Sequence, residues 1–275
     1  NNIQANTDGL DDNLAYLNST IDSENPVALD VLMTQLLYGT VFEYSKPGTY
    51  QLLIPANVSR IRVTACGGGG GGAGSDGSAS GGSGGGGGGA AIENQEYTVE
   101  PQSTILITIG QGGAAGNYST LNGSPGTATV IGNLVTLPGG TGGTYDGETN
   151  GTGGTGGGTG GGAGGAGKIT NTQGDSASSG QSGISPGGAG GSVTASNYYS
   201  KQCAVGGGGG GSLGKGGDGQ NIQNSSSSTR YMPYGGSAGT KGGGGGGKGN
   251  VIGTTQGTGY KGGDGYAKIE LIIAT

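Results

Sequence analysis

Glycine supplies 76 of the 275 residues, Trp and His are absent and Phe occurs once, so a side-chain core cannot run through the whole chain. A formal charge of −6 and a pI near 4.5, without a dense Lys/Arg cluster, exclude the electrostatic footprint of a nucleic-acid binder. Glycine runs such as 67–72 and 206–211 are unbroken and prolines number eight, which excludes the collagen repeat. No apolar stretch approaches the roughly 20 residues that span a bilayer, so no membrane insertion is expected.

Residues 1–39 read as a helical stalk or attachment segment. Leu10, Leu14, Leu17 and Ile21 are spaced as a heptad a/d seam, which predicts a short coiled coil and association with copies of the chain, as a homotrimer. A helix packed on its own domain is the competing reading. Asp8 is the candidate N-cap, and Asp11 and Asp12 favour the positive end of the helix dipole. A second helix starts at Pro26, carries Leu29, Leu32, Met33, Leu36 and Leu37 as an apolar stripe, and stops at Gly39. It is expected to cover a sheet. The chain starts at Asn1 with this helical pattern under way, which reads as the C-terminal part of something longer.

Residues 40–275 form the second predicted domain. Strand patterns fall within 40–66, 96–109, 128–137 and 266–273. Ile61, Val63 and Ala65 alternate with Arg60, Arg62 and Thr64, Ile105 with Ile107 and Ile109 share one face, and Ala267, Ile269, Leu271 and Ile273 share another. Lys46-Pro47-Gly48-Thr49 fits a tight turn, and Gly132-Asn133 a hairpin turn. One small antiparallel sheet is expected from these strands. Because they come from both ends of the domain, the glycine-rich sequence between them must leave the sheet and return repeatedly.

That sequence competes with disorder, since glycine loses the most backbone entropy on folding. Framing by strands argues for order. The runs are 67–74, 81–89, 110–116, 139–143, 151–167, 187–191, 206–219, 235–249 and 257–265. A polyproline-II-type helix has three residues per turn and no internal hydrogen bonds, so its N–H and C=O groups must pair with neighbouring helices. Only glycine permits close approach on every side. Thr152 and Thr155 would lie on an outer face, with a slip of phase at Thr159. The fold class is therefore mostly irregular and β: a polyglycine II helix sandwich tethered to a small antiparallel β-sheet, preceded by the helical segment. Taken straight, the runs make an elongated slab. Loops 168–186 and 220–234 then share one end, and 144–150, 192–205 and 250–256 the other.

Cys66 and Cys203 each precede a glycine run at a spacing that matches no metal motif, and buried free thiols are favoured over a disulfide. No cofactor or metal is expected.

The stretch "FEYSKPGTYQLLIPANVSRIRVTACGGGGGGAG" resembles the glycine-rich module of phage tail proteins, and "GGDGYAKIEL" its closing strand. The alternation of glycine runs and loops also resembles the distal adhesin of T-even phage long tail fibres. That resemblance implies a polyglycine II sandwich at a tail-fibre tip on the virion, whose loops bind a bacterial outer-membrane protein or surface glycan. The stub at 1–25 departs from that family, whose adhesins are separate monomers.

Candidate anchors are Arg230, Tyr231, Met232 and Tyr234, large amphipathic groups beside Pro233, with Asn171 and Gln173 of the polar loop at the same end. Tyr145, Tyr198, Tyr199 and Lys201 form the rival patch. The competing reading of these tyrosines is that they cap exposed ends of glycine helices. Catalysis is the first rival function, and absence of histidine removes the commonest general base. A carboxylate pair of a polysaccharide-degrading tailspike would draw on Asp146, Glu148 and Asp175. Ice binding through flat Thr and Ala faces, and a purely structural fibre module, are the others.

Overall fold

A computed structural model describes residues 40–76, 81–147, 149–170, 175–192, 203–224, 231–251 and 257–273. The coiled-coil seam Leu10, Leu14, Leu17 and Ile21 and the helix from Pro26 lie outside the described residues. No helix occurs among those described. The strands are β1 (Val41–Tyr44), β2 (Gly48–Leu53), β3 (Val58–Cys66), β4 (Ala91–Thr98), β5 (Thr104–Ile109), β6 (Thr129–Ile131), β7 (Val135–Leu137), β8 (Lys168–Thr170), β9 (Cys203–Val205), β10 (Asn221–Asn224), β11 (Tyr231–Tyr234), β12 (Asn250–Val251) and β13 (Tyr266–Ile273).

Framing strands form two four-stranded antiparallel sheets rather than one, in the orders β1-β13-β3-β4 and β2-β5-β6-β7. The single-sheet expectation fails because Lys46-Pro47 sends β1 and β2 into different sheets instead of closing a hairpin. Gly132 does turn between β6 and β7, at φ 50°. Alternation decides the packing. Ile61, Val63, Ala65, Ile269 and Leu271 of one sheet share a buried core with Leu52, Ile105, Ile107, Ile131 and Leu137 of the other. The strand pattern at 96–109 covers β5 and only the last residues of β4, whose apolar alternation is interrupted by "ENQE" on an exposed edge.

Glycine runs are paired by backbone hydrogen bonds in a three-residue repeat. Gly68, Gly71 and Gly74 donate to Thr127, Ser124 and Leu121; Gly69, Gly72 and Ser75 donate to Gly263, Tyr260 and Gly257; Gly67, Gly70 and Ala73 donate to Ala90, Gly87 and Gly84. Donor numbers rise by three while acceptor numbers fall by three, so these three neighbours are antiparallel. Three parallel neighbours donate in return: Gly113 to Gly69, Gly140 to Gly68 and Gly245 to Gly70. Residues 67–75 are thus enclosed by six segments.

The same bonds arrange the described segments in four layers. The first holds 121–127, 138–144 and 151–157, and the second 110–116, 67–75, 82–90 and 161–167. The third holds 257–265, 242–248, 205–211 and 176–182, and the fourth 237–240, 214–220 and 186–192. Segments 67–75, 82–90, 205–211 and 242–248 each have neighbours on all sides, and every residue in them is buried. Those four contain the hexaglycines 67–72, 84–89, 206–211 and 242–247. Outer segments instead carry a side chain at every third position, such as Gln111 and Ala114, Thr141 and Thr144, and Thr152 and Thr155.

Close approach, not backbone freedom, is why the interior is glycine. A Cβ on Gly70 would lie 1.9 Å from the Thr141 carbonyl oxygen, and one on Gly72 2.0 Å from that of Gly246. Within the enclosed segments positive φ occurs only at Gly242, the first residue after a reversal; elsewhere it marks turns such as those at Gly158, Gly160 and Lys241.

The straight-slab expectation is corrected on this point. Residues 206–219 reverse at Ser212 and Leu213, so that Gly209 donates to Gly217 and Gly206 to Gln220. Residues 151–167 reverse at Gly158–Gly160, pairing Gly164 with Gly154, and 235–249 reverse at Lys241. Each extra reversal shifts the parity of the later loops. At the pole of the two sheets the reversals are short, at 158–160, 183–185, 212–213 and Lys241. At the opposite pole lie 117–120 and the described ends of the longer connections: Asp76 and Gly81, 145–147 and 149–150, 168–170 and Asp175, Ser192 and Cys203, 221–224 and 231–236, and 249–251 and Gly257. The expectation of loops divided between two ends is therefore overturned: the long connections share one pole.

Candidate functional site

This pole, opposite Thr40 and the two sheets, forms a crown. Two small sheets continue from the glycine segments into it. Strands β12, β9 and β8 form one, and β10 pairs with β11 in the register Asn221↔Tyr234 to Asn224↔Tyr231. The segment expected to be an irregular loop is thus a hairpin arm. Ile222 and Val205 are fully buried beneath it, with Thr170.

Polar side chains tie the connections to the bundle ends. The Asn221 carboxamide oxygen accepts from the Ser192 amide at 2.8 Å, and that of Asn150 from the Ile169 amide at 2.8 Å. Asp175 accepts a hydrogen bond from the Thr170 hydroxyl and pairs with Lys168 at 3.2 Å. The Thr170 bond first, and Lys168 second, hold its carboxyl below the usual aspartate range. Asp146 accepts from the Thr149 hydroxyl at 2.8 Å. Lys248 is buried at the base of the crown, and desolvation lowers its pKa.

Of the candidate anchors, Tyr231, Met232 and Tyr234 lie on β11 at the crown. Arg230, Asn171, Gln173, Tyr198, Tyr199, Lys201 and Glu148 lie outside the described residues. The described residues that flank 171–174, 193–202 and 225–230 all lie at this pole, as does Tyr145.

Tyr145 serves as a staple. Its hydroxyl donates to Asp76 at 2.6 Å, its amide donates to Asn122 at 2.8 Å, and its ring covers Gly81, where a Cβ would approach within 2.6 Å. Tyr260 does the same over Gly236, donating its hydroxyl to the Gly235 carbonyl at 2.7 Å.

Tyr118 joins the crown without having stood out among the sequence candidates. This residue sits on the 117–120 turn of the crown with 61% of its surface exposed. Asn117 builds the turn by accepting from the Ser119 and Thr120 amides at 2.8 and 3.0 Å. The signal was available as an Asx-turn residue directly before an aromatic, in "GNYST". Among the described residues, no group of three or more His, Cys, Asp or Glu side chains is placed to hold a metal ion. Cys66 is a free, buried thiol.

No curated protein matches the sequence. A family model described as a glycine-rich domain matches residues 44–271, from the last residue of β1 to β13. The chain therefore belongs to that glycine-rich domain family.

Proposed function

We propose that this chain is the receptor-binding tip of a bacteriophage tail fibre, and that its glycine segments are polyglycine-II-type helices carrying the binding surface. The observation that carries the reading is polarity: the chain enters the described fold at Thr40 beside the two sheets, and the long connections open at the other pole. A three-residue repeat of backbone bonds to six neighbours is the geometry that a polyproline-II helix without side chains requires. Eight residues at its rise span about 25 Å, which sets the crown clear of the attachment end.

Residues 1–39 join the domain to a fibre, as a homotrimer through Leu10, Leu14, Leu17 and Ile21. The crown meets a bacterial outer-membrane protein or surface glycan through Tyr118, Arg230, Tyr231, Met232 and Tyr234, assisted by Asn171 and Gln173. Aromatic rings such as that of Tyr118, 61% exposed, are efficient anchors, because a large rigid side chain loses little entropy on contact. The assigned role is binding rather than catalysis. Asp146 and Asp175, two of the three carboxylates a tailspike would use, are tied to Thr149 and to Thr170 and Lys168.

The test is binding of fluorescently labelled chain to a panel of Gram-negative cells. Saturable binding that falls at least about tenfold in Tyr231→Ala plus Tyr234→Ala supports the reading, and equal binding by the variant overturns the assignment. Protease-treated and periodate-treated cells distinguish a protein receptor from a glycan.

One observation favours a second reading, ice binding. Thr141 and Thr155 lie hydroxyl to hydroxyl at 3.1 Å, and Thr144 and Thr152 at 2.8 Å, as an exposed two-by-two patch. Thermal hysteresis of the purified chain would decide for it.

A further inference from the structure

The outer faces of the two sheets differ in chemistry. On β1-β13-β3-β4, Arg60 pairs with Glu96 at 3.2 Å, and Arg62 with Glu96 at 3.0 Å and Glu270 at 3.1 Å. That is a solvated face. On β2-β5-β6-β7, Leu52, Ile105, Ile107 and Ile131 point into the core, so alternation turns Thr49, Gln51, Leu53, Thr104, Leu106, Thr108, Val130 and Thr136 outwards. None of these is charged. Leu53 and Leu106 are 67% and 50% exposed, and a groove of about 430 Å³ beside Leu106 is lined by Val99 and Leu134 together with the polar Glu100, Ser103 and Asn133.

We propose that this uncharged face is covered by residues 26–39 of the same chain, folded as a helix with Leu29, Leu32, Met33, Leu36 and Leu37 against Leu53, Leu106 and the groove. The occupant is indicated by where the chain arrives. Thr40 accepts a hydrogen bond from the Leu271 amide at 3.2 Å, at the end of β1 away from the glycine bundle. Strand β1 runs towards the bundle and β2 returns, so Thr40 and Leu53 lie at the same end of the two sheets.

Fourteen helical residues extend about 21 Å, close to the roughly 20 Å of a six-residue strand such as β2. Direct linkage to β1 gives the helix an effective concentration in the millimolar range, so a few leucines suffice. Docking there would fix the crown's direction relative to whatever precedes residue 26, making the joint a rigid brace instead of a hinge.

Hydroxyl-radical footprinting of the full chain, read residue by residue, tests this. The expected result is that Leu53 and Leu106 react at least about fivefold more slowly than Ile184, although Ile184 is only 41% exposed in the described fold. Leu32→Glu plus Leu36→Glu should release that protection at every protein concentration, while the reactivity of buried Ile107 stays low. Leu53 and Leu106 reacting as fast as Ile184 in the unmodified chain would overturn the proposal. So would protection that survives the double substitution, and its loss on dilution would then assign the face to a second copy of the chain.

Discussion

Gly70 donates its amide to the carbonyl oxygen of Gly87 at 2.8 Å while its own carbonyl accepts from Gly245 at 2.9 Å, so both of its backbone groups are used by neighbouring segments. Nothing else is available to hold it in place. With each bond contributing about 0.5 to 1.5 kcal/mol net, order in the bundle depends on completing nearly all of them. Gly70→Ala drives a Cβ to 1.9 Å from the Thr141 oxygen, so its cost should reach or exceed the ~3 kcal/mol upper end of overpacking. Ala114→Ser, on an outward position of a perimeter segment, should stay within about 0.5 kcal/mol. Thermal denaturation of the two variants compares them directly.

The contrast between Gly70 and Ala114 was present in the sequence as a rule. Unbroken hexaglycine marks an enclosed segment, and glycine pairs separated by one other residue mark the perimeter. Strands β3, β5 and β13 were legible because their apolar residues alternate over six or more positions. Reversals were harder to read. A glycine run has no side-chain pattern by which to announce a turn, and the marks are slight: the slip of phase from Thr155 to Thr159, the lone Leu213, and Lys241 directly before a hexaglycine. Missing them misplaced the loops, and the crown became visible only from the hydrogen bonds. The residues of β11 stand out by side-chain chemistry alone, whereas Tyr118 is a single aromatic in a four-residue turn with no cluster around it.

Tyr145 and Tyr118 should separate structural from binding aromatics at the crown. Tyr145→Phe removes the hydroxyl that donates to Asp76 and should cost about 1 kcal/mol of stability, with cell binding unchanged. Tyr118→Ala removes an exposed ring and should leave the melting temperature within about 2 °C while weakening binding severalfold. Paired melting and cell-binding measurements on both variants check this.

Burial pushes the Cys66 thiol up to about 12, with the Ser212, Tyr266 and Leu213 hydrogen bonds opposing. An unfolded thiol ionises near about 8.5, so between these values the folded state holds a proton that the unfolded state has lost. Stability should therefore fall by up to about 1.4 kcal/mol per pH unit above pH ~9. Tyr266, also raised to about 12, adds the same sign from about pH 10. Cys66→Ala should remove the part of the alkaline loss that begins near pH 9. Denaturant titrations from pH 7 to 11 measure it.

The acid side reports on the crown. Asp175 has a lowered folded pKa, so its contribution is complete above the ordinary aspartate value of about 3.9 and is lost as pH falls through the folded value. Asp175→Asn should abolish that part of the acid sensitivity. Limited proteolysis between pH 5 and 2.5, with pepsin as the probe, should cut the wild-type crown increasingly as pH falls and cut the variant at a more nearly constant rate.

Amide hydrogen exchange resolved across the four hexaglycine segments tests the architecture most directly. Amides of 67–72, 84–89, 206–211 and 242–247 should be among the slowest in the molecule, as slow as those of β3 and β13, and should exchange only by global unfolding. Exchange of these glycines at the rate of an unstructured chain, while β3 and β13 remain protected, would contradict the enclosed bundle and with it the platform on which the crown is proposed to act.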